Sequence, residues 1–237
     1  MKKFSKFGIA AVLASSIISS LAADGLFVGI GGDYNIRSQY DAQFLDRAYN
    51  MTPFAMSDYF EHKDHQYSVG FRLGWDFDWF KLYGGYNFEP KAHNSKIIYV
   101  MYYNPVEQNF EYKSREFLVG IDLTPKIIAD LRALIGFYGG IAKINVKVHD
   151  IEDPGYHETI ADYKQSGTIF GAKIGVIYEL GKLGEIELGF KSDRSDYKDK
   201  DIDGGGLYYG YPNSDKIAVV NGNKMSNAVF VGYNYKF

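Results

Sequence analysis

Apolar and polar residues alternate with a period of two over most of this chain. At the carboxy end, Val229, Val231, Tyr233, Tyr235 and Phe237 share one parity, and Ala228, Phe230, Gly232, Asn234 and Lys236 the other. Alternation over this length predicts a β-strand with one apolar face and one polar or small face. Residues 67–77 carry the pattern most cleanly, with Tyr67, Val69, Phe71, Leu73, Trp75 and Phe77 against Ser68, Gly70, Arg72, Gly74 and Asp76. Residues 80–88 repeat it after Asp78-Trp79, a link short enough for a tight hairpin. Further strands are predicted over 26–34, in a segment ending at Leu123, over 168–180 and over 185–191. Another begins near Leu131, but its phase changes: Ala133, Ile135 and Phe137 lie on one parity, Ile144, Val146 and Val148 on the other. A bulge at Gly139-Gly140 would reset the register there.

The strands number eight, and their connections alternate long and short. The long ones are 35–66, with a helical turn expected around 41–49, then 89–112, 149–163 and 192–223. Within 89–112, the segments 97–103 and 109–112 flank Asn104-Pro105 and continue the hairpin. The short connections are 78–79, 124–130 and 181–184. An even strand number, short turns at one end and long loops at the other are the marks of a transmembrane β-barrel, crossed by strands of about ten residues. The less apolar faces carry Arg72, Lys81, Glu116, Asp122, Lys173, Glu179, Glu187 and Lys191, a charge load foreign to the core of a soluble barrel. The expected fold is all-β: an eight-stranded antiparallel up-and-down transmembrane β-barrel.

The amino end changes the picture of where this barrel goes. Lys2, Lys3 and Lys6 precede a short apolar run, 8–18, and Ser20-Leu21-Ala22 offers small residues for a peptidase. Residues 1–22 therefore read as a secretory signal peptide and 23–237 as the barrel. The chain contains 0 cysteines, which excludes a cysteine-linked lipid and any disulfide. Its net charge of −3 argues against nucleic acid as a partner. The 21 Tyr and 17 Phe suit a lipid-facing surface and its interfacial girdles.

The signal peptide, the eight-strand rhythm and the aromatic terminus together resemble the OmpA-type small outer-membrane barrel family, over the whole mature chain. The resemblance implies a barrel in the cell outer membrane, both termini periplasmic, in contact with outer-membrane lipid and lipopolysaccharide. It implies passage by periplasmic chaperones to the β-barrel assembly machinery, with Tyr233, Tyr235 and Phe237 as the assembly signal. Family members with a peptidoglycan-binding domain continue past the barrel; this chain stops at Phe237, so that role is not carried over.

Chemistry could reside in the lumen or the loops. An eight-stranded barrel is just wide enough to be filled by its own side chains, so the lumen charges are expected to form packed ion pairs and to conduct poorly. Asp199, Asp201 and Asp203 precede Gly204 in the opening pattern of a calcium loop, but position twelve is Gly210 and not a bidentate glutamate. His62, His65, His93, His149 and His157 all fall in expected loops, and His62 with His65 offers part of a zinc site. Small outer-membrane barrels include lipid A deacylases and acyltransferases, but no His and Ser with a carboxylate is readable here; outer-membrane proteases resemble ten-stranded barrels, a count this chain does not reach unless 97–112 adds a separate pair. The chain is read as a non-enzyme needing no cofactor. Tyr99, Tyr102, Tyr103, Tyr208, Tyr209 and Tyr211 lie in loops, as girdle residues or as anchors for a host or surface ligand. The role expected is structural or adhesive, with a narrow channel for small or hydrophobic solutes as the alternative and a lipid-modifying enzyme third.

Overall fold

The computed structural model describes residues 25–46, 51–55, 61–62, 66–98, 106–152, 156–202 and 217–237. Eight long strands form one sheet: β1 (Leu26–Asp46), β2 (Gln66–Asp76), β3 (Phe80–Ile98), β4 (Val106–Leu123), β5 (Leu131–Glu152), β6 (Tyr156–Glu179), β7 (Glu185–Tyr197) and β8 (Ile217–Lys236). Each pairs antiparallel with its neighbours in sequence, and β8 returns to β1, from Phe27↔Lys236 to Asp46↔Ile217. The sheet is thus a closed up-and-down barrel with no free edge among its long strands. Short strands at Met51–Ala55, Glu61–His62, Lys126–Ile128 and Lys200–Ile202 attach to β1, β5 and β8.

The connections at the end that holds the start of β1 and the end of β8 are compact. The β2–β3 link spans 77–79, one residue more than Asp78-Trp79. Asp78 sits at φ 73°, a conformation Asp tolerates, and its N–H donates to Asp76 Oδ1 at 2.9 Å. The β6–β7 link is one turn of 3₁₀ helix, Gly181–Leu183, and the β4–β5 link carries the short strand Lys126–Ile128.

At the other end the strands are much longer than a membrane requires. The 22 residues of β5, at about 3.3 Å each and tilted by roughly 40°, rise roughly 50–55 Å, nearly twice the height of a bilayer's hydrocarbon core. Most of what reads as long loops is strand. Residues 35–46 continue β1, so the helical turn expected around 41–49 is absent from 41–46; 47–50 lie outside the described residues. Residues 89–98 and 106–112 extend the β3–β4 hairpin and add no separate pair. Residues 149–152 and 156–163 extend β5 and β6, 192–197 extend β7, and 217–223 extend β8.

The bulge expected at Gly139-Gly140 is not there. Pairing runs unbroken through Leu118↔Gly140 and Val119↔Gly139 on one side and Gly139↔Phe170 and Gly140↔Ile169 on the other. The parity of the apolar residues changes because the surroundings change. Up to Ile141, the outward residues Ile135, Phe137 and Ile141 are apolar and exposed; beyond it Ile144 and Val146 point inward and are buried, while Lys143 faces out. Register shifts fall higher up, between Asn35 and Arg37, Asp41 and Gln43, Glu89 and Ala92, and Val148 and His149.

Two zones result. In the lower zone an outward belt includes Phe71 and Leu73 of β2, Phe117 and Val119 of β4, Phe170 and Ile174 of β6, and Leu188 and Phe190 of β7. Val119 is 69% exposed and Ile174 61%, values that only an apolar surrounding makes favourable for so many neighbours. In the upper zone, outward positions are mostly polar, and the inward ones set Tyr40, Tyr112, Ile144, Val146, Tyr163 and Tyr197 among buried polar groups such as Ser38 and Gln165.

Candidate functional site

The interior of the lower zone brings together Arg72, Lys81, Asp122, Lys173 and Glu187, contributed by five different strands whose inward parity aims them at one level. Glu187 is the centre. Its Oε2 accepts from Arg72 Nη2 at 2.9 Å and lies 3.9 Å from Lys173 Nζ, and its Oε1 is 3.6 Å from Lys81 Nζ. Asp122 stands 2.8 Å from Lys173 Nζ and 3.9 Å from Arg72 Nη1. Lys81, Asp122 and Glu187 are fully buried, so each charge depends on its partners and not on water. Asn234 braces the centre: its amide donates to Glu187 Oε1 at 2.6 Å and to Glu185 Oε1 at 2.7 Å, and its oxygen accepts from Arg72 at 3.1 Å. Glu185 also pairs with Lys81, and with Lys236 at 2.8 Å.

Aromatic rings fill the space between the charges. Lys173 Nζ lies 4.8 Å from the Tyr83 ring centroid and Arg72 Cζ 5.5 Å from it, so both cations sit within cation–π range of one ring. Tyr83 and Tyr138 need room beside the wall, and glycines provide it. A Cβ at Gly120 would collide with the Tyr83 ring, and one at Gly171 would fall 2.5 Å from Tyr138 Cζ. Two small cavities lie among the described residues: one of about 60 Å³ touching Asp33, Arg72, Tyr83, Tyr138 and Lys191, and one of about 10 Å³ touching Glu89, Glu116, Asp193 and Lys224. Each has room for a few water molecules at most.

The other sequence-selected charges stand apart from this centre. Lys191 pairs with Asp33 at 2.5 Å and lies 3.9 Å from Asp193. Glu116 accepts from Asn87 Nδ2 at 3.3 Å. Glu179 is at the turn end, paired with Arg132, which also holds Asp78 at 3.2 Å. The sequence reading passed over Asp33, Asp76, Glu89, Arg132, Glu185, Asp193, Lys224, Asn234 and Lys236. Glu185 shares parity with Glu187, and Asn234 and Lys236 lie on the polar face of the last strand, so parity alone marks these three.

Above the belt the interior is held by hydroxyls. Tyr40 OH donates to Gln165 Oε1 at 2.7 Å and lies 3.3 Å from Tyr163 OH; Tyr112 OH donates to Gln66 Oε1 at 2.8 Å. Burial, with the Glu89 carboxylate adding to it, pushes the Tyr112 hydroxyl up to about 12, and burial likewise raises Tyr40, Tyr163 and Tyr197. Burial opposes the charge on Lys224, but its ion pair with Glu89, together with Tyr112, Glu116 and Tyr197, outweighs that and holds the ammonium well above its ordinary range.

Asp199 and Asp201 flank Lys200 at the short strand Lys200–Ile202, where Asp201 pairs with Ala218 of β8, and Asp199 Oδ1 accepts from the Asn221 N–H at 3.1 Å. Asp203 lies outside the described residues. No group of three His, Cys, Asp or Glu among the described residues is placed to hold a metal ion. His62, His93, His149 and His157 lie in strands and not in loops, and His65 lies outside the described residues, as do Tyr99, Tyr102, Tyr103, Tyr208, Tyr209 and Tyr211. Tyr233, Tyr235 and Phe237 all face outward beside the turn end, with the last two rings edge to face at 5.0 Å.

No family model and no curated protein matches the chain. Among solved structures it is similar to outer membrane protein OprG from Pseudomonas aeruginosa, at 11% identity and TM-score 0.44 over 90% of this chain and 96% of that one. It is similar to outer membrane protein OprH from the same organism, at 20% identity and TM-score 0.39 over 91% and 100%. The attachment invasion locus protein Ail of Yersinia pestis aligns at 12% identity and TM-score 0.39 over 90% and 100%. These overlaps are loose, and the closed eight-stranded barrel stands on the chain's own strand pairing.

Proposed function

We propose that this protein is an integral barrel of the outer membrane, closed to solutes, with a structural and surface-presenting role. One observation carries this reading: the chain reverses its polarity around a belt, apolar outward with charges inside it, and polar outward with tyrosines and aliphatics inside above it. No helix among the described residues is long and apolar enough to cross a membrane; the belt crosses with strands, whose backbone groups are satisfied by closure. The interlocked centre around Glu187 supports a sealed lumen, and the tall upper zone supports presentation of the connecting segments away from the lipid. In this reading residues 1–22 are an export signal, the turn end faces the periplasm, and Tyr233, Tyr235 and Phe237 are what an assembly machinery would grip.

Two measurements test it together. On an unboiled gel, outer-membrane fractions should show a compact band that shifts on boiling. The purified barrel in planar bilayers should give no large, regular conductance steps. A single unshifted band in the soluble fraction would overturn the membrane reading; regular steps would overturn only the sealed lumen and favour the channel.

A further inference from the structure

Outward charges are not spread evenly around the upper zone. On the β4–β5–β6 flank, Arg115 pairs in register with Lys143, and Lys143 with Ser166. One row higher, Lys113 pairs with Asn145, and Asn145 with Lys164. Four cations thus occupy two rows on three adjacent strands, all exposed. They line an open groove of about 350 Å³ whose described walls contain no carboxylate. The outward acids of the next row, Glu111 and Asp162, are engaged by Lys91 and by Lys147 at 2.9 Å. Among the described residues, no ion pair is found for Lys113, Arg115, Lys143 or Lys164; Lys143 only leans over the Phe117 ring at 6.0 Å. Lys200 adds a fifth ammonium, donating to the Lys164 carbonyl at 3.0 Å. The β7 flank is different: Arg194 is bound to Asp196 at 2.9 Å.

Height decides what this patch meets. Arg115 and Lys143 follow directly on Phe117 and Ile141, the last outward apolar residues of β4 and β5 among the described side chains. The two rows span roughly 5 Å of rise, within the roughly 5–8 Å headgroup layer on each side of a bilayer. Like charges gathered without counter-charges repel one another in the free protein, and phosphate oxygens relieve that while accepting charge-assisted hydrogen bonds.

We propose that Lys113, Arg115, Lys143 and Lys164 form a binding site for the phosphate groups of an outer-leaflet lipid, held against this one flank of the barrel. The proposal rests on the belt lying in a membrane, and its test separates the two. Refold the wild-type chain and the variant K113Q/R115Q/K143Q/K164Q in phosphatidylcholine vesicles with and without bisphosphorylated lipid A. Check insertion by the heat shift, then count retained lipid A on the detergent-released barrel by native mass spectrometry. Wild type should retain lipid A and the variant about tenfold less or lower. K126Q/K182Q, which removes two exposed lysines at the turn end, should retain as much as wild type, and replacing the three patch lysines by Arg should preserve retention. Equal retention by wild type and the quadruple variant, both inserted, overturns the lipid site and leaves the membrane reading standing. Displacement of the lipid by inorganic phosphate at matched phosphate concentration overturns the lipid assignment in favour of a free-anion site. Failure of the wild type to insert overturns both.

Discussion

The two halves of the tallest strands obey opposite rules. Along β5, Phe137 looks into the surroundings and Ile144 looks into the barrel, although no register break lies between them. Below, the interior holds Arg72, Lys81, Asp122, Lys173 and Glu187, and the exterior is a continuous apolar band; above, the interior is Tyr40, Tyr112, Ile144, Tyr163 and Tyr197, and the exterior is polar. One sheet therefore meets two solvents. Strand pairing is indifferent to the change, because backbone hydrogen bonds close around the barrel in either medium; only the side chains record it. A fold is set by the ladder, and the environment is written on the parity of what the ladder carries.

The largest expected effect comes from breaking the lower centre. Glu187→Gln leaves Arg72, Lys81 and Lys173 without their shared carboxylate in a buried interior. Unfolding by urea in vesicles, followed through Trp75 and Trp79, should show a loss of about 3–5 kcal/mol; an unchanged midpoint would mean that the network contributes nothing. Next comes a pair of truncations on one strand. Ile144→Ala empties a packed site above the belt and should cost about 2–4 kcal/mol, as in a soluble core. Phe137→Ala removes a ring that faces outward in the belt and should cost well under half as much, since lipid closes over the gap. Equal losses at the two positions would erase the distinction between the zones.

The smallest effect is a pH dependence confined to the upper zone. Tyr112 is held neutral by burial, its pKa raised to about 12, whereas in the unfolded chain it ionises near about 10. The folded state binds the proton more tightly, so this contribution is fully present below about pH 10 and is lost as pH rises towards 12, at most about 2–3 kcal/mol. Tyr40, Tyr163 and Tyr197 shift in the same direction. Stability measured from pH 9 to 12 should fall, and Tyr112→Phe should shallow the fall. A flat profile would mean that water reaches these hydroxyls.

Parity made the lower zone legible from sequence. Tyr67 to Phe77 and Val229 to Phe237 alternate without exception in what they offer lipid, and their partners by parity line the lumen. The upper zone was read as loop for a physical reason. There the inward residues are Ser38, Tyr40 and Ala42, or Tyr163 and Gln165, against outward Arg37, Gln39 and Asp41, or Lys164 and Ser166. That alternation is as regular as the one below, but it is inverted, and a search tuned to one apolar face sees it as noise. The phase change in β5, attributed to Gly139-Gly140, was the visible trace of the inversion. Ion pairing was beyond reach for another reason: which inward charge meets which depends on stagger around the barrel, and Glu187 reaches Arg72 across 115 positions of chain.

The length of the strands has a consequence for anything approaching from outside. From Ile141, at the top of the belt, to Glu152 the chain climbs roughly 25–30 Å, several times the depth of a headgroup layer. With the belt set in a bilayer, the upper halves of the strands form a pedestal whose top stands clear of the lipid. A large body such as another cell would meet the tips alone, while a small solute reaching the base of the pedestal would meet the bare cations of one flank. The two encounters happen at different altitudes on the same strands, so the surface that greets a neighbour can change from chain to chain without disturbing the surface that greets the membrane.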